Sequence, residues 1–136
     1  MIVADTNIIS YLLLTGEQTM QAQKALEKDP LWAAPYLWRS EFCNVLTGYV
    51  RKQLLSNQEA RNYLEHAQTL LRGKEYSVIA GQVLELAIAS SCTAYDCEFV
   101  ALAQDLGVAL VTVDKKILAN FPHIAVDLGQ FIGESK

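Results

Sequence analysis

The sequence predicts one α/β domain spanning residues 1–136, with a central, mostly parallel β-sheet and helices on both faces. Three observations predict it. Short apolar runs alternate with helix-length amphipathic segments along the whole chain. One run, VALVTV at 108–113, is apolar almost without a break, as a strand buried on both faces requires. The 136 residues, 51% hydrophobic and 19% charged, suit one globular domain with its own core and not a disordered chain. No repeat, low-complexity tract or linker divides the chain.

Each element has a local reason. MIVA (1–4) reads as a short buried strand. Asp5-Thr6-Asn7 then offers cap chemistry, and Ile8, Ile9, Leu12 and Leu13 follow near helical spacing. A second helix fits residues 17–28 and ends before Asp29-Pro30, because the residue ahead of a proline is pushed out of helical geometry. LWAAP (31–35) is a strand candidate. Residues 36–53 form a helix with Leu37, Val45, Leu46, Tyr49 and Val50 as its apolar positions. Ser56 and Glu59 make a capping box for a helix that should stop near Gly73. EYSVI (75–79) is a strand candidate and AGQVLELAIASS (80–91) a helix. Thr93 and Asp96 make a second capping box, opening the helix YDCEFVALAQDLG (95–107), which Gly107 closes. VALVTV follows. Asp114 starts a short helix, and IAVDL (124–128) is a last strand ahead of a final helical turn.

The three cysteines, Cys43, Cys92 and Cys97, form no C-x-x-C pair and sit in apolar surroundings. They read as small core residues in a reducing compartment. His66 and His123 have no partner at ligand spacing, so zinc is not expected. The first ten residues lack the basic start and long apolar run of a signal peptide, and no apolar stretch approaches the roughly 18 residues of a membrane span. The expectation is a cytoplasmic protein with no membrane partner.

Ligands of open α/β sheets bind beyond the carboxyl ends of the strands. Asp5 and Asp114 each follow a strand directly, so both belong at that edge. Asp96 lies in the first turn of the helix leading into VALVTV, and Glu41 early in its own helix. Taken singly, each acid has an ordinary explanation as a cap, a dipole partner or a solvated residue. The joint pattern predicts that all four point into one crevice. Glu98, two positions from Asp96, should face almost the opposite way and is left out. Four carboxylates together repel unless cations neutralise them, and oxygen donors without histidine or thiolate select Mg²⁺ or Mn²⁺. Such metals activate water and orient a phosphodiester. The net charge of −4 disfavours a nucleic-acid partner only at face value, because without those four acids 11 basic residues meet 11 acidic ones. Arg39, Lys115 and Lys116 then become candidates for contact with a phosphate backbone, or are solvated surface.

The segments VADTN (3–7), SEFCNVL (40–46), YDCEFVALAQDLG (95–107) and VTVDKKILANFP (111–122), spread over almost the whole chain, resemble a PIN domain, specifically the VapC-type toxin ribonucleases. The resemblance implies a metal-dependent endoribonuclease that cuts RNA by in-line attack of water. By position, Asp5, Asp96 and Asp114 hold Mg²⁺ or Mn²⁺ and Glu41 binds metal or orients a bound water. Asn7 and Thr112 support the acids, and Thr6 does so with a weaker claim. The family also implies a homodimer and a small antitoxin that covers the site. The two helices between 36 and 73 either supply an interface or pack on the sheet. An RNA-processing nuclease without an antitoxin, or a PIN-fold module that binds without cutting, keeps the same fold. A receiver-type signalling domain needs paired acids after the first strand and an Asp after a middle strand, and EYSVI is followed by Ala80-Gly81. A phosphatase of the haloacid dehalogenase type needs a second Asp where Asn7 stands.

Overall fold

Three apolar residues, paired on both flanks, make the central strand Ile2–Ala4 (β1) in the computed structural model, which describes residues 1–134. The last two positions of the domain lie outside the described residues. β1 pairs in parallel with Trp32–Pro35 (β2) on one side and Leu110–Thr112 (β4) on the other. Glu75–Tyr76 (β3) extends the sheet beyond β2, and Ala125–Asp127 (β5) extends it beyond β4. The order is β3-β2-β1-β4-β5 with every pairing parallel. The chain steps outward from β1 through β2 to β3, then crosses back to the far side of β1. The reversal falls between β1 and β4, where such sheets open a crevice at their carboxyl edge.

Eight helices cover the sheet among the described residues. They are α1 (Thr6–Leu13), α2 (Thr19–Lys28), α3 (Trp38–Arg51), α4 (Asn57–Leu70), α5 (Ala80–Ile88), α6 (Ala94–Leu106), α7 (Lys115–Asn120) and α8 (Leu128–Phe131). Right-handed crossovers place α1 to α4 on one face and α5 to α7 on the other. In agreement, α1 packs on β1, β4 and its neighbours α2, α3 and α4, whereas α6 packs on β1, β2, β4 and α5. The core between the layers is built on Trp32, Trp38, Phe42, Phe99, Ile8 and Ile9, all fully buried. The α3–α4 pair packs on α1 more than on the sheet, and an apolar cleft remains between the two helices.

Both predicted capping boxes form. The Ser56 Oγ accepts from the Glu59 N–H at 3.0 Å while Glu59 Oε1 accepts from the Ser56 N–H at 2.9 Å. Thr93 and Asp96 do the same at 3.1 and 3.4 Å. Gly107, with φ of 66°, closes α6 in the left-handed region.

The strands are shorter than their apolar runs. In VALVTV only Leu110–Thr112 joins the sheet, because the Val108 N–H is drawn back to the Ala103 carbonyl at the end of α6. In EYSVI only Glu75–Tyr76 pairs, since β3 is an edge strand with one neighbour. Tyr36 and Leu37 form a turn before α3 instead of its first residues. Cys92 and Cys97 are buried, but Cys43 is exposed, on the outward side of α3. No helix among the described residues is long and apolar enough to cross a membrane.

Candidate active site

Asp5 is the first residue beyond β1, held in register by its N–H to the Val111 carbonyl at 3.1 Å. It caps α1 and is 8% exposed. Its Oδ1 accepts from the Thr6 N–H at 2.7 Å and its Oδ2 from the Thr112 hydroxyl at 2.7 Å. Burial pushes its carboxyl up to about 6, against the pull of the Thr112 and Thr6 hydrogen bonds and with help from the charges of Glu41 and Asp96.

Glu41 enters from α3. Its Oε1 accepts from the Thr6 hydroxyl at 2.7 Å. Burial raises this carboxyl too, with the Thr6 hydrogen bond opposing and the charges of Asp96 and Glu98 adding. Asp96 stands at the third position of α6 with one oxygen engaged in the capping box. These three acids come from separate parts of the chain and feel one another's charge.

Asp114 is joined to them less directly. Its Oδ1 caps α7, accepting from the Lys116 and Ile117 N–H groups at 2.9 and 3.0 Å. Its own N–H donates to Thr112 Oγ1 at 3.0 Å, so the buried Thr112 hydroxyl bridges Asp114 to Asp5. Among the described residues, no three His, Cys, Asp or Glu side chains stand close enough to enclose a cation. Asp5, Glu41 and Asp96 feel one another's charge and Thr112 links Asp114 to Asp5, but the four do not close on a point.

The three supporting positions all touch the acids. Thr6 proves as central as Thr112, since its N–H holds Asp5 and its hydroxyl holds Glu41. The Asn7 Nδ2 lies 3.5 Å from Asp5 Oδ2 and 3.4 Å from Thr112 Oγ1. Its Oδ1 is buried without a hydrogen-bond partner. Turning the amide over would set that oxygen against the Asp5 carboxylate, so Asp5 fixes the orientation. A buried acceptor with nothing to accept, beside donors that are all oxygen, fits a hard cation or its bound water.

Two residues differ from the sequence reading. Glu98 is close enough to Glu41 to raise its carboxyl. A helical wheel places Glu98 relative to Asp96 on α6 but says nothing of Glu41, which arrives from α3. Arg39 grips Glu75 with two bonds of 2.6 and 2.7 Å, and Glu75 also accepts from Trp38 Nε1 at 2.7 Å. Arg39 holds the Glu75 carboxyl below its usual range. Its charge is thus matched within the protein, unlike Lys115 and Lys116, which are exposed and make no ion pair among the described residues. No local pattern links residues 39 and 75, since the pair exists only because β3 lies beside β2.

Thr112→Val keeps the shape and removes the bridge. Asp5 loses a donor and the Asp114 N–H its acceptor. The expected loss is about 1–3 kcal/mol in a urea melt at pH 7, with Thr112→Ser close to wild type. Equal melts for Val and wild type would show that the bridge contributes nothing.

The PIN domain family matches residues 2–124. The chain is 30% identical over 126 residues to Ribonuclease VapC3 of Pyrobaculum aerophilum, covering 90% of this chain and 96% of that protein. A crystal structure of PAE2754 from Pyrobaculum aerophilum superimposes with a TM-score of 0.78 at 20% identity, over 96% of this chain and 91% of that one. A toxin-antitoxin complex from Klebsiella pneumoniae gives 0.68 at 23% identity, over 94% and 98%. At such identities these two structures speak for the fold.

Proposed function

We propose, since the chain belongs to the PIN domain family, that it is a metal-dependent endoribonuclease and the toxin of a toxin-antitoxin pair. The observation that carries the chemistry is the approach of Asp5, Glu41 and Asp96, from three separate segments, with Asp5 and Glu41 held by Thr6 and Thr112 and Asp96 by Thr93. The ribonuclease reading is supported by the relative Ribonuclease VapC3.

Asp5, Asp96 and Asp114 are the residues that would hold Mg²⁺ or Mn²⁺, with Glu41 binding it or orienting a bound water. When bound, the cation supplies a water of lowered pKa and neutralises charge at the phosphodiester. The protein does the rest. Thr112 and Thr6 fix both oxygens of Asp5, so that carboxylate does not swing. Thr6 fixes Oε1 of Glu41, which leaves Oε2 to align the attacking water and take its proton. The water oxygen bonds to phosphorus, the ester P–O bond breaks, the leaving oxygen takes up a proton from solvent, and Glu41 returns its own proton to solvent. Lys115 and Lys116, just beyond Asp114, meet the RNA backbone. Arg39 does not, because Glu75 holds it.

The antitoxin is supported by the toxin-antitoxin complex that shares this fold. It is supported too by the cleft of about 410 Å³ between α3 and α4, with Leu46, Val50, Ala60 and Leu64 as its apolar lining and Arg51 and Arg61 beside them. A homodimer acting in the cytoplasm completes the proposal.

Calorimetry with Mn²⁺ tests the metal site. Wild type should bind, and Asp96→Asn should lose at least about tenfold in affinity while melting as a folded protein. Wild type alone should then cut RNA in a Mn²⁺-dependent way. No binding at millimolar Mn²⁺, together with no cleavage of RNA, would overturn the proposal.

A further inference from the structure

The chain has twelve aromatic residues, and only two of them, Tyr36 and Tyr95, are exposed. Tyr95 adjoins Asp96 in sequence, and Tyr36 follows β2, the strand beside β1. The β1–β2 register pairs Ile2 with Trp32 and Val3 with Ala33, which sets Asp5 level with Pro35. Tyr36 is therefore one strand over from Asp5, about 4.8 Å away laterally, and one residue further out. Its N–H is tied to the Tyr76 carbonyl at 3.1 Å, and the residue is 50% exposed. The Arg39 guanidinium lies over the ring, 5.3 Å from its centroid, and is itself clamped by Glu75. Tyr95 directly precedes Asp96 in the first turn of α6 and is 63% exposed.

A single exposed ring needs no explanation. Two, one adjoining Asp96 in sequence and one a strand over from Asp5, when every other ring is at least partly buried, call for one. We propose that Tyr36 and Tyr95 are base-stacking platforms that bind unpaired nucleobases of a single-stranded RNA near the scissile phosphodiester. The inference rests on the ribonuclease reading and names two side chains that hold the bases of its substrate. A phosphodiester reaches a crevice only when the strand carrying it can be splayed, and unstacked bases then offer faces to aromatic rings. A tyrosine ring does this at little entropic cost, and every base has such a face, so the contact tolerates many sequences. The Arg39–Glu75 clamp has a role here as well. It braces one side of the Tyr36 ring with a guanidinium whose own position is fixed by Glu75.

The experiment is binding of a short single-stranded RNA carrying 2-aminopurine, read by quenching and anisotropy. Millimolar Ca²⁺ replaces Mn²⁺ so that oxygen sites fill without rapid turnover. Tyr36→Ala and Tyr95→Ala should each weaken binding by about fivefold to a hundredfold and lower the quenching. The Phe variants should stay within about twofold. Both tyrosines are exposed, so thermal melts of all four variants should match wild type. Ala variants that bind and quench like wild type would overturn the stacking proposal and leave the ribonuclease reading in place. So would wild-type preference for duplex over single-stranded RNA. A wild type that binds no RNA and cuts none would bring down both.

Discussion

Asp5→Asn is expected to cut RNA cleavage by about a thousandfold or more, a rise of about 4 kcal/mol in the barrier, while making the metal-free fold more stable at neutral pH. The two effects have one cause. Asp5 is buried, and its carboxyl titrates near 6 in the folded chain against 3.8 ordinarily. Between those values the folded protein holds a proton that the unfolded chain has released. Stability therefore falls as pH rises through about 6, by at most about 3 kcal/mol. An amide has no charge to bury. Part of the gain is lost, because the Asn NH₂ must face either the Thr6 N–H or the Thr112 hydroxyl. The expected net gain is about 1–2 kcal/mol at pH 7 in the presence of EDTA, shrinking toward nothing near pH 4. Urea melts at the two pH values check it. A variant destabilised equally at both would show that burial of the Asp5 charge carries no such cost.

The largest loss of stability should come from Trp38→Ala, about 3–5 kcal/mol by guanidinium denaturation. Trp38 is fully buried at the start of α3, its ring 6.0 Å from that of Phe42, with Nε1 donating to Glu75. Against a typical total of about 5–15 kcal/mol, this is a large share. The consequence reaches the site, since Glu41 is one turn further along the same helix. Mn²⁺ affinity of the folded fraction should fall too. Trp38→Phe keeps the packing and loses only the hydrogen bond, for about 1–2 kcal/mol. If Ala and Phe cost the same, cavity formation is not the cause.

Much of this was legible in the chain, and the boundary between what was and was not is physical. The two capping boxes are local. Ser56 and Glu59, or Thr93 and Asp96, meet within one helical turn, so sequence spacing suffices. The parallel sheet followed from apolar runs between helices, though strand ends did not, because pairing depends on the neighbour. That is why five residues of EYSVI yield two of β3. Among the candidate site residues, Asp5, Glu41 and Asp96 converge because strand ends and helix starts share one edge in this topology. The hydroxyl of Thr6 on Glu41 spans 35 positions and the Arg39 clamp on Glu75 spans 36. Neither leaves a local trace. Cys43 sat among apolar neighbours in sequence, but α3 has an outward side, and one-dimensional context does not show which side a residue takes.

The central place of β1 also governs when the protein becomes what it is. Thr112, which holds Asp5, lies 107 residues further along. A ribosome adding about 5–20 residues per second needs roughly 5 to 20 s to cover that distance. Throughout that interval β1 has one edge without its partner, a surface open to mispairing with other nascent chains. In the same interval neither β4 nor Asp114 exists, so the crevice has no second wall. A fold built this way brings its four acids into one structure only after Asp114 has been made.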